Sequence, residues 1–572
     1  MTDYMPVHVR FMTDARASKT ATLHVEDGVL RTTTIGELQD LVQRCATVLA
    51  KHGVAQGDRV AVLIPTSLEH TVVDLAVLSL GGIVVPVYDT DSYDQIRWII
   101  EDADPVVFVT AEAMQVSVVT AKASLDHRCE ILVAHELADR YTTEPAGELA
   151  EVTSNTGDGA CIVYTSGTTG RAKGCLLTHG NITSAIDAAH KALPELFSAK
   201  ERTVLFLPLA HVFARVVQYG CLAYGVEMGY SSPVSMIDDV QLMRPTWLVA
   251  VPRVLEKVYS SARAKTTGVR TRIFDVAATV ARAHAKGVEE DRARAVLEPA
   301  HWVLDKIVYR HVRAALGGSV RHVVSGGAAL DADLNRFFTG CGIMVLEGYG
   351  LTETTAAHTV NTPQQRRAGS VGRVIGDSAV RVRQGELQLR GANVFGGYWR
   401  NEEATAAAFD DGWLRTGDLG DVDAAGFVRV TGRIKELIVT AGGKNVQPGG
   451  LEEIVVRSSA VLQCVVVGDG EPFIGALVVL DPAWVVTRAL ALDVAVDAVA
   501  AHASTITVVQ QAVDAANEGV SRAESIRSWR IVPTEMSIAN GMLTPTLKTK
   551  RQAVAAYYAT VLEDIFSASA DA

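Results

Sequence analysis

The sequence predicts an α/β protein with a large N-terminal domain and a smaller C-terminal one, and three observations predict it. Residues 1–160 alternate helical and strand-like segments. Near residue 376 the texture changes: Val380–Val382, Glu386–Arg390 and Phe427–Thr431 alternate apolar and polar residues, as half-exposed antiparallel strands do. After Gly432 and Arg433 a new strand–turn–strand pattern begins, followed by helices. At 572 residues the chain is also too long to be served by one core.

Taken in order, Ile35–His52 has helical spacing, Arg59–Ile64 is strand-like, and Thr71–Leu80 reads as a buried helix. Ile83–Val87 and Pro105–Val109 are short apolar runs. This βα alternation predicts a largely parallel sheet covered on both faces. Thr142–Asp158 is polar and reads as a surface connection. Val204–Leu207 and Trp247–Val251 continue the buried strands, and Leu255–Ala315, rich in Ala, Arg and Val, predicts a helical excursion whose arginines face solvent. Beyond the second domain's start, Ser459–Val467 and Phe473–Leu480 read as strands around the turn Gly468–Pro472. Ala491–Asn517 and Gln552–Asp564 read as helices. The expected domains are 1–432, with the antiparallel part at about 376–431, a connection at 433–436, and 437–572.

Composition excludes several classes of function. A net charge of −12 would repel a phosphate backbone, so no nucleic-acid partner is expected. Seven scattered cysteines without a Cys-x-x-Cys pair predict a reducing compartment and no structural zinc. Asp3, His8, Arg10 and Asp14 interrupt any apolar leader. The longest apolar stretch, Leu75–Tyr88, is broken by Gly81, Gly82 and Pro86 and is too short to span a bilayer. A cytoplasmic location is expected, with peripheral membrane contact left open.

Residues 161–174 read Cys-Ile-Val-Tyr-Thr-Ser-Gly-Thr-Thr-Gly-Arg-Ala-Lys-Gly. An apolar strand thus ends in hydroxyls, glycines and two cations, the chemistry that wraps a phosphate. Thr165, Ser166, Thr168 and Thr169 supply hydroxyl donors, and Arg171 and Lys173 supply charge. Gly167, Gly170 and Gly174 are expected to permit close approach and positive φ. The spacing is not that of a Walker A loop, because Lys173 follows Gly170 by three positions and precedes Gly174.

Six further segments follow in order: Leu207-Pro-Leu-Ala-His-Val-Phe213, Ser325-Gly-Gly-Ala-Ala-Leu330, Glu347-Gly-Tyr-Gly-Leu-Thr-Glu353, Gly412-Trp-Leu-Arg-Thr-Gly-Asp418, Gly432-Arg-Ile-Lys-Glu436 with Gly442-Gly-Lys-Asn445, and Thr544-Pro-Thr-Leu-Lys-Thr-Lys-Arg551. With the phosphate loop they resemble the adenylate-forming enzymes: acyl-CoA synthetases, peptide-synthetase adenylation domains and luciferases. Leu207–His211, Val251–Tyr259, Val439–Val446 and Leu543–Lys548 are similar in wording to the bacterial long-chain-fatty-acid–CoA ligases, and the likeness runs from about Thr34 to Tyr558. The resemblance implies βα-layered sheets plus a distorted β-barrel-like part in the large domain, and a mobile α+β C-terminal domain. It implies ATP, Mg²⁺ and CoA as cofactors or co-substrates and a fatty acid as substrate.

The resemblance also implies roles. Thr165, Ser166, Gly167, Thr168, Thr169, Gly170 and Lys173 hold the β- and γ-phosphates. Glu353 coordinates Mg²⁺, with Thr165 as a second metal contact, and Thr352 binds the α-phosphate. Tyr349, flanked by Gly350, stacks on adenine opposite Gly326, Gly327 and Ala328. Asp418 accepts from the ribose hydroxyls, and Arg433 reaches the ribose or phosphates. Lys548 bridges carboxylate and α-phosphate during adenylation, a task suited to a long flexible cation. Lys550 and Arg551 read as solvated charges. His211 lies beside the acyl carboxylate. Lys435 is the hinge, and Gly442, Gly443 and Lys444 line the pantetheine tunnel after the hinge turns. Two positions depart from the pattern: Arg215 stands where some relatives carry an aromatic gate, and Glu347 where the family has an adenine-contacting amide. The implied reaction is activation of a medium- to long-chain fatty acid as acyl-adenylate, then transfer to CoA. Transfer to a carrier protein, or a ligase for an aromatic or other acid, stays open at this stage, as does a homodimer.

Overall fold

The computed structural model describes residues 6–125, 128–148, 152–165, 171–290, 297–537, 539–543 and 549–567. The chain forms an α/β fold and divides into two compact units. The first comprises residues 1–381, 388–416 and 422–429; the second comprises 382–387, 417–421 and 430–572.

Three sheets organise the first unit. In one, the strand Arg59–Leu63 lies between Ile83–Pro86 and Val107–Thr110, all parallel. Glu130–Val133 extends it on one side, and Gly159–Thr165 with its antiparallel neighbour Lys173–Thr178 on the other. Val60, Ala61, Val62 and Leu63 are all buried, which explains the unbroken apolar run: a parallel strand covered on both faces has no solvent side. The helix Ile35–Lys51 covers it with Leu38, Val42, Cys45 and Leu49. Thr34 starts that helix as a capping box, its hydroxyl accepting the Glu37 N–H at 3.2 Å while its own N–H donates to the Glu37 carboxylate at 2.7 Å. The helix Leu68–Ser79 is buried nearly all round, with Asp74 in its middle.

The second sheet has the strand order Val29–Thr34, Thr20–Glu26, Glu227–Tyr230, Arg202–Leu205. The third runs Trp247–Ala250, His322–Ser325, Met344–Leu351, Ala356–Val360, Arg373–Val374. The helical excursion forms as expected, as Pro252–Ala264, Val269–Glu289, Glu298–Leu304 and Arg310–Ala315 with a π turn at Asp305–Tyr309. Phe274, Ala277, Ala278 and Ala281 turn inward and join Phe337 and Phe338 in one core.

In the second unit Val461–Val467, Ile474–Leu480 and Ile526–Ile531 form a sheet, with Val455, Val466, Ala476, Val509 and Val513 in its core. The expected helix Ala491–Asn517 forms only over Ala503–Asn517, and Ala491 and Leu492 instead end the preceding helix Pro482–Leu492. Asp493, at φ 54°, closes that preceding helix in a left-handed cap that a continuing helix cannot contain. Likewise Gln552–Asp564 divides into Arg551–Tyr557 and Ala559–Ser567. None of the seven cysteines is in a disulfide, and all are buried. No helix among the described residues is long and apolar enough to cross a membrane.

Candidate functional site

Ser166, Gly167, Thr168, Thr169 and Gly170 lie outside the described residues, as does Lys548. The two ends of the phosphate loop are described. Thr165 closes its strand directly opposite Lys173, which opens the next. Gly174 does not take the expected positive φ. It sits inside that strand opposite Tyr164, and a Cβ there would meet Ile162 at 2.6 Å and Trp399 at 3.3 Å. Its glycine therefore answers to packing. Arg171 is held over the Trp98 ring at 4.6 Å, and Trp98 donates from its indole to the Ala172 carbonyl at 2.8 Å.

Beside this strand end stands Glu353, in the short turn Thr352–Thr354. The Tyr398 hydroxyl donates to Glu353 Oε1 at 2.8 Å, and Lys173 Nζ lies 5.1 Å from the centre of the Tyr398 ring. Burial, and then the Tyr398 neighbour Glu353, push the Tyr398 hydroxyl up, so it stays protonated and donating. The buried Cys175 thiol is pushed up by burial and also by Glu353, which places that carboxylate next to the loop's exit strand. Thr165, Lys173, Glu353 and Tyr398 are thus brought together within one unit. Sequence reasoning missed Tyr398; the available signal was an aromatic pair after two glycines, Gly396-Gly397-Tyr398-Trp399.

The turn bearing Thr352 and Glu353 is stitched tightly. Thr354 Oγ1 accepts the Leu351 N–H at 2.8 Å and donates to the Ala356 carbonyl at 2.9 Å. Thr355 Oγ1 donates to the Asn393 carbonyl at 2.7 Å, and Asn393 Nδ2 donates to the Thr354 carbonyl at 2.9 Å. This network holds Thr355 and Ala356 at φ 50° and 72°, a left-handed pair that costs an L residue energy and survives only where its surroundings impose it. Gly350 faces the same turn: a Cβ on it would stand 1.6 Å from the Ala356 oxygen. Close backbone approach therefore demands this glycine.

Three of the predicted motifs meet on one side of the third sheet. Gly326 follows the strand His322–Ser325, with Gly327 and Ala328 exposed beyond it. A Cβ on Gly326 would lie 3.5 Å from both Phe213 and the Gly348 carbonyl. Tyr349 is half-buried on the neighbouring strand opposite Thr359. Glu347, opposite Ser325, is buried and accepts from Asn335 Nδ2 at 2.8 Å. His211 caps the helix Val212–Tyr224, its Nδ1 accepting the Phe213 N–H at 3.1 Å.

Arg215 faces the core and is no gate. Its side chain is 1% exposed and pairs with the fully buried Asp74. Arg215 Nη1 also donates to the Tyr219 hydroxyl at 2.9 Å, and that hydroxyl donates to Asp74 Oδ2 at 2.6 Å. Gln218 Nε2 donates to the same oxygen at 3.2 Å. Arg215 Nε reaches the Leu209 carbonyl at 3.2 Å. Thr66 Oγ1 donates to the Leu207 carbonyl at 2.9 Å and accepts the Leu209 N–H at 3.2 Å. The segment carrying His211 is thereby clamped from below.

In the second unit Asp418 is buried, with Arg433 Nε 2.8 Å from its Oδ1. The preceding Gly417 N–H donates to the Glu386 carboxylate at 2.9 Å. Lys435 is exposed in the short turn Ile434–Glu436. Gly443 and Lys444 are exposed in the turn joining Ile438–Val439 to Asn445–Val446, and Lys444 Nζ lies 3.3 Å from Glu524. Arg551 is not a solvated charge: it is largely buried in an ion pair with Glu452, because the helix it opens starts against the unit's core.

Residues 12–399 match the family described as AMP-binding enzyme, and residues 435–570 match the AMP-binding enzyme C-terminal domain. The chain belongs to this family, the adenylate-forming enzymes. Within it the chain falls in the branch of the bacterial long-chain-fatty-acid–CoA ligases. It is 40% identical over 559 residues to long-chain-fatty-acid–CoA ligase FadD15 of Mycobacterium bovis, spanning 95% of this chain and 93% of that protein. Long-chain-fatty-acid–CoA ligase 6 of Homo sapiens is 30% identical over 552 residues, or 88% of this chain and 77% of that one. Among solved structures, ATP-bound MatB from Rhodopseudomonas palustris has a TM-score of 0.75 at 24% identity, covering 97% of this chain and 99% of that one. The Mycobacterium tuberculosis fatty acyl CoA synthetase has a TM-score of 0.65 at 23% identity, with the same coverage. At such identities these structures establish the shared fold.

Proposed function

We propose that this chain joins a medium- to long-chain fatty acid to AMP and then passes the acyl group to CoA. The fatty carboxylate attacks the α-phosphorus of ATP and pyrophosphate leaves. The CoA thiol then attacks the acyl carbonyl, AMP leaves, and the thiol proton goes to solvent. One observation carries the reading: a carboxylate, Glu353, is held by the Tyr398 hydroxyl beside the cation and hydroxyl that bracket the phosphate loop. The fatty substrate and the CoA acceptor rest on the relatives' activities.

The first step brings two anions together, so donors fixed in advance do most for it. Lys173 and the loop hydroxyls bind the β- and γ-phosphates, Thr352 the α-phosphate, and Lys548 the developing charge between carboxylate and phosphorus. Tyr349 and the strip Gly326–Ala328 hold the adenine, and Asp418 and Arg433 the ribose. Holding the reactants aligned can remove roughly 7–11 kcal/mol of the barrier. The Glu353 carboxylate and the Thr165 hydroxyl are hard oxygen donors of the kind Mg²⁺ takes, and Mg²⁺ would neutralise phosphate charge there. Lys435 serves as hinge, and Gly443 and Lys444 serve the CoA step, for which Lys444 must leave Glu524. The cytoplasm, where thiols stay reduced, suits seven cysteines that form no disulfide.

The test is exchange of labelled pyrophosphate into ATP across acids of graded chain length, with thioester formation followed on adding CoA. Exchange with long-chain acids, lost in Glu353→Gln and Lys548→Ala, is expected. No exchange with any acid would end the proposal. Exchange without thioester would point to a carrier-protein acceptor, and exchange confined to aromatic acids to a different substrate class.

A further inference from the structure

Arg551 opens the helix Arg551–Tyr557, three residues after Lys548. Its guanidinium meets Glu452 in a fork, Nη1 to Oε1 at 2.6 Å and Nη2 to Oε2 at 2.7 Å. Glu452 sits on the helix Pro448–Val456. The same Oε1 accepts the Val466 N–H at 2.7 Å, and Arg551 Nη1 returns to the Val466 carbonyl at 3.0 Å. The helix Pro448–Val456, the edge strand Val461–Val467 and Arg551 are therefore locked in one polar knot. Burial alone would lower the Arg551 pKa, but Glu452 and then Glu436, the residue after Lys435, hold it charged. On the other side of Lys548 the chain is fixed as well. Met542 and Leu543 are buried, Leu543 bridges Thr549 in antiparallel fashion, and the Lys550 N–H donates to the Met542 carbonyl at 2.8 Å.

We propose that Arg551 is a positioning residue for Lys548, acting through its forked ion pair with Glu452. This rests on the reading that Lys548 touches the reacting atoms during adenylation. A lysine used in one half-reaction must arrive in register with the carboxylate and the α-phosphorus, and an error of about 1 Å costs roughly a hundredfold. A guanidinium–carboxylate fork fixes direction as well as distance, which a single-point contact does not. The knot fixes the first residue of the helix Arg551–Tyr557, three positions after Lys548 in the sequence.

The test separates the half-reactions in the full-length enzyme. Pyrophosphate exchange reports adenylation, and thioester formation from supplied acyl-adenylate and CoA reports transfer. Arg551→Gln and Glu452→Gln are each expected to lower exchange by about 10- to 100-fold, with transfer within about twofold of the parent enzyme, and Arg551→Lys to retain more exchange than Arg551→Gln. Lys548→Ala is run alongside. If it retains exchange, the reading of Lys548 fails first. If it loses exchange while Arg551→Gln and Glu452→Gln lose nothing, or lose both half-reactions alike, the positioning role is overturned. Failure of both variants to fold would also overturn it, since the pair would then serve stability alone.

Discussion

Replacing Arg215 by Met should be among the most damaging single changes in the first unit, although the residue touches no substrate in the proposed scheme. Asp74 has no exposed surface and Arg215 almost none. Without the guanidinium, the Asp74 carboxylate keeps only Tyr219 at 2.6 Å and Gln218 at 3.2 Å. Breaking a buried pair by removing one partner costs about 3–5 kcal/mol, because a charge is left uncompensated. The Leu209 carbonyl also loses its donor at 3.2 Å, adding about 1 kcal/mol or more. Against a typical total of about 5–15 kcal/mol, that is a large fraction. Removing both charges, in Arg215→Met with Asp74→Asn, should recover most of the loss, giving a coupling of about 2 kcal/mol or more. Urea unfolding followed by tryptophan fluorescence, which includes the buried Trp247, measures it on both single variants and the double. The reasoning is refuted if Arg215→Met costs less than about 1 kcal/mol, the range of an ordinary hydrogen bond, or if the two single costs simply add.

Three further outcomes are expected. Gly350→Ala puts a Cβ 1.6 Å from the Ala356 oxygen, so the turn holding Glu353 must shift; overpacking typically costs about 1–3 kcal/mol, and both the melting temperature and the rate of pyrophosphate exchange should fall. Tyr398→Phe removes a 2.8 Å donor to a carboxylate, an interaction of about 1.5–3 kcal/mol; kcat/KM for exchange should drop by about 10- to 100-fold, and an unchanged value would remove Tyr398 from the site. His8 and His179 have ring centroids 5.3 Å apart. Burial, and for His8 also the nearby His179, lower their pKa values from 6.5 to about 3 and about 4. Below pH 6.5 the unfolded chain takes up protons that the folded one refuses, so stability is full above that pH and is lost toward pH 4, at up to about 1.4 kcal/mol per pH unit for each ring. His179→Gln should flatten the fall in urea midpoint between pH 7 and pH 5.

The buried strands of the first sheet were legible because double-sided burial writes itself as an unbroken apolar run, as in Val60–Leu63. The helix Ile35–Lys51 was legible from its spacing alone. What stayed hidden depends on partners far along the chain. The hairpin Thr20–Thr34 joins a sheet with Glu227–Tyr230, some two hundred residues away, and no local pattern announces that pairing. Asp74 lies inside the run Thr71–Leu80 that reads as a buried helix, and its partner lies 141 residues on, beyond any local pattern. Gly350 and Gly174 look like ligand glycines in a motif, and only the close backbone and side-chain neighbours reveal the packing each serves. Arg551 was misread for the same reason: a charge next to a lysine looks solvated until Glu452, 99 residues earlier, comes into view.

The burial of every cysteine bears on selectivity among nucleophiles. Burial raises all seven thiols above their ordinary value, Cys129 to about 11 and Cys161 to about 12. At neutral pH essentially none of them is ionised, and thiolate is the form that attacks an activated acyl group. Burial and raised pKa both disfavour attack by the host's own cysteines on an activated acyl group, which suits a reaction whose acceptor thiol arrives from outside.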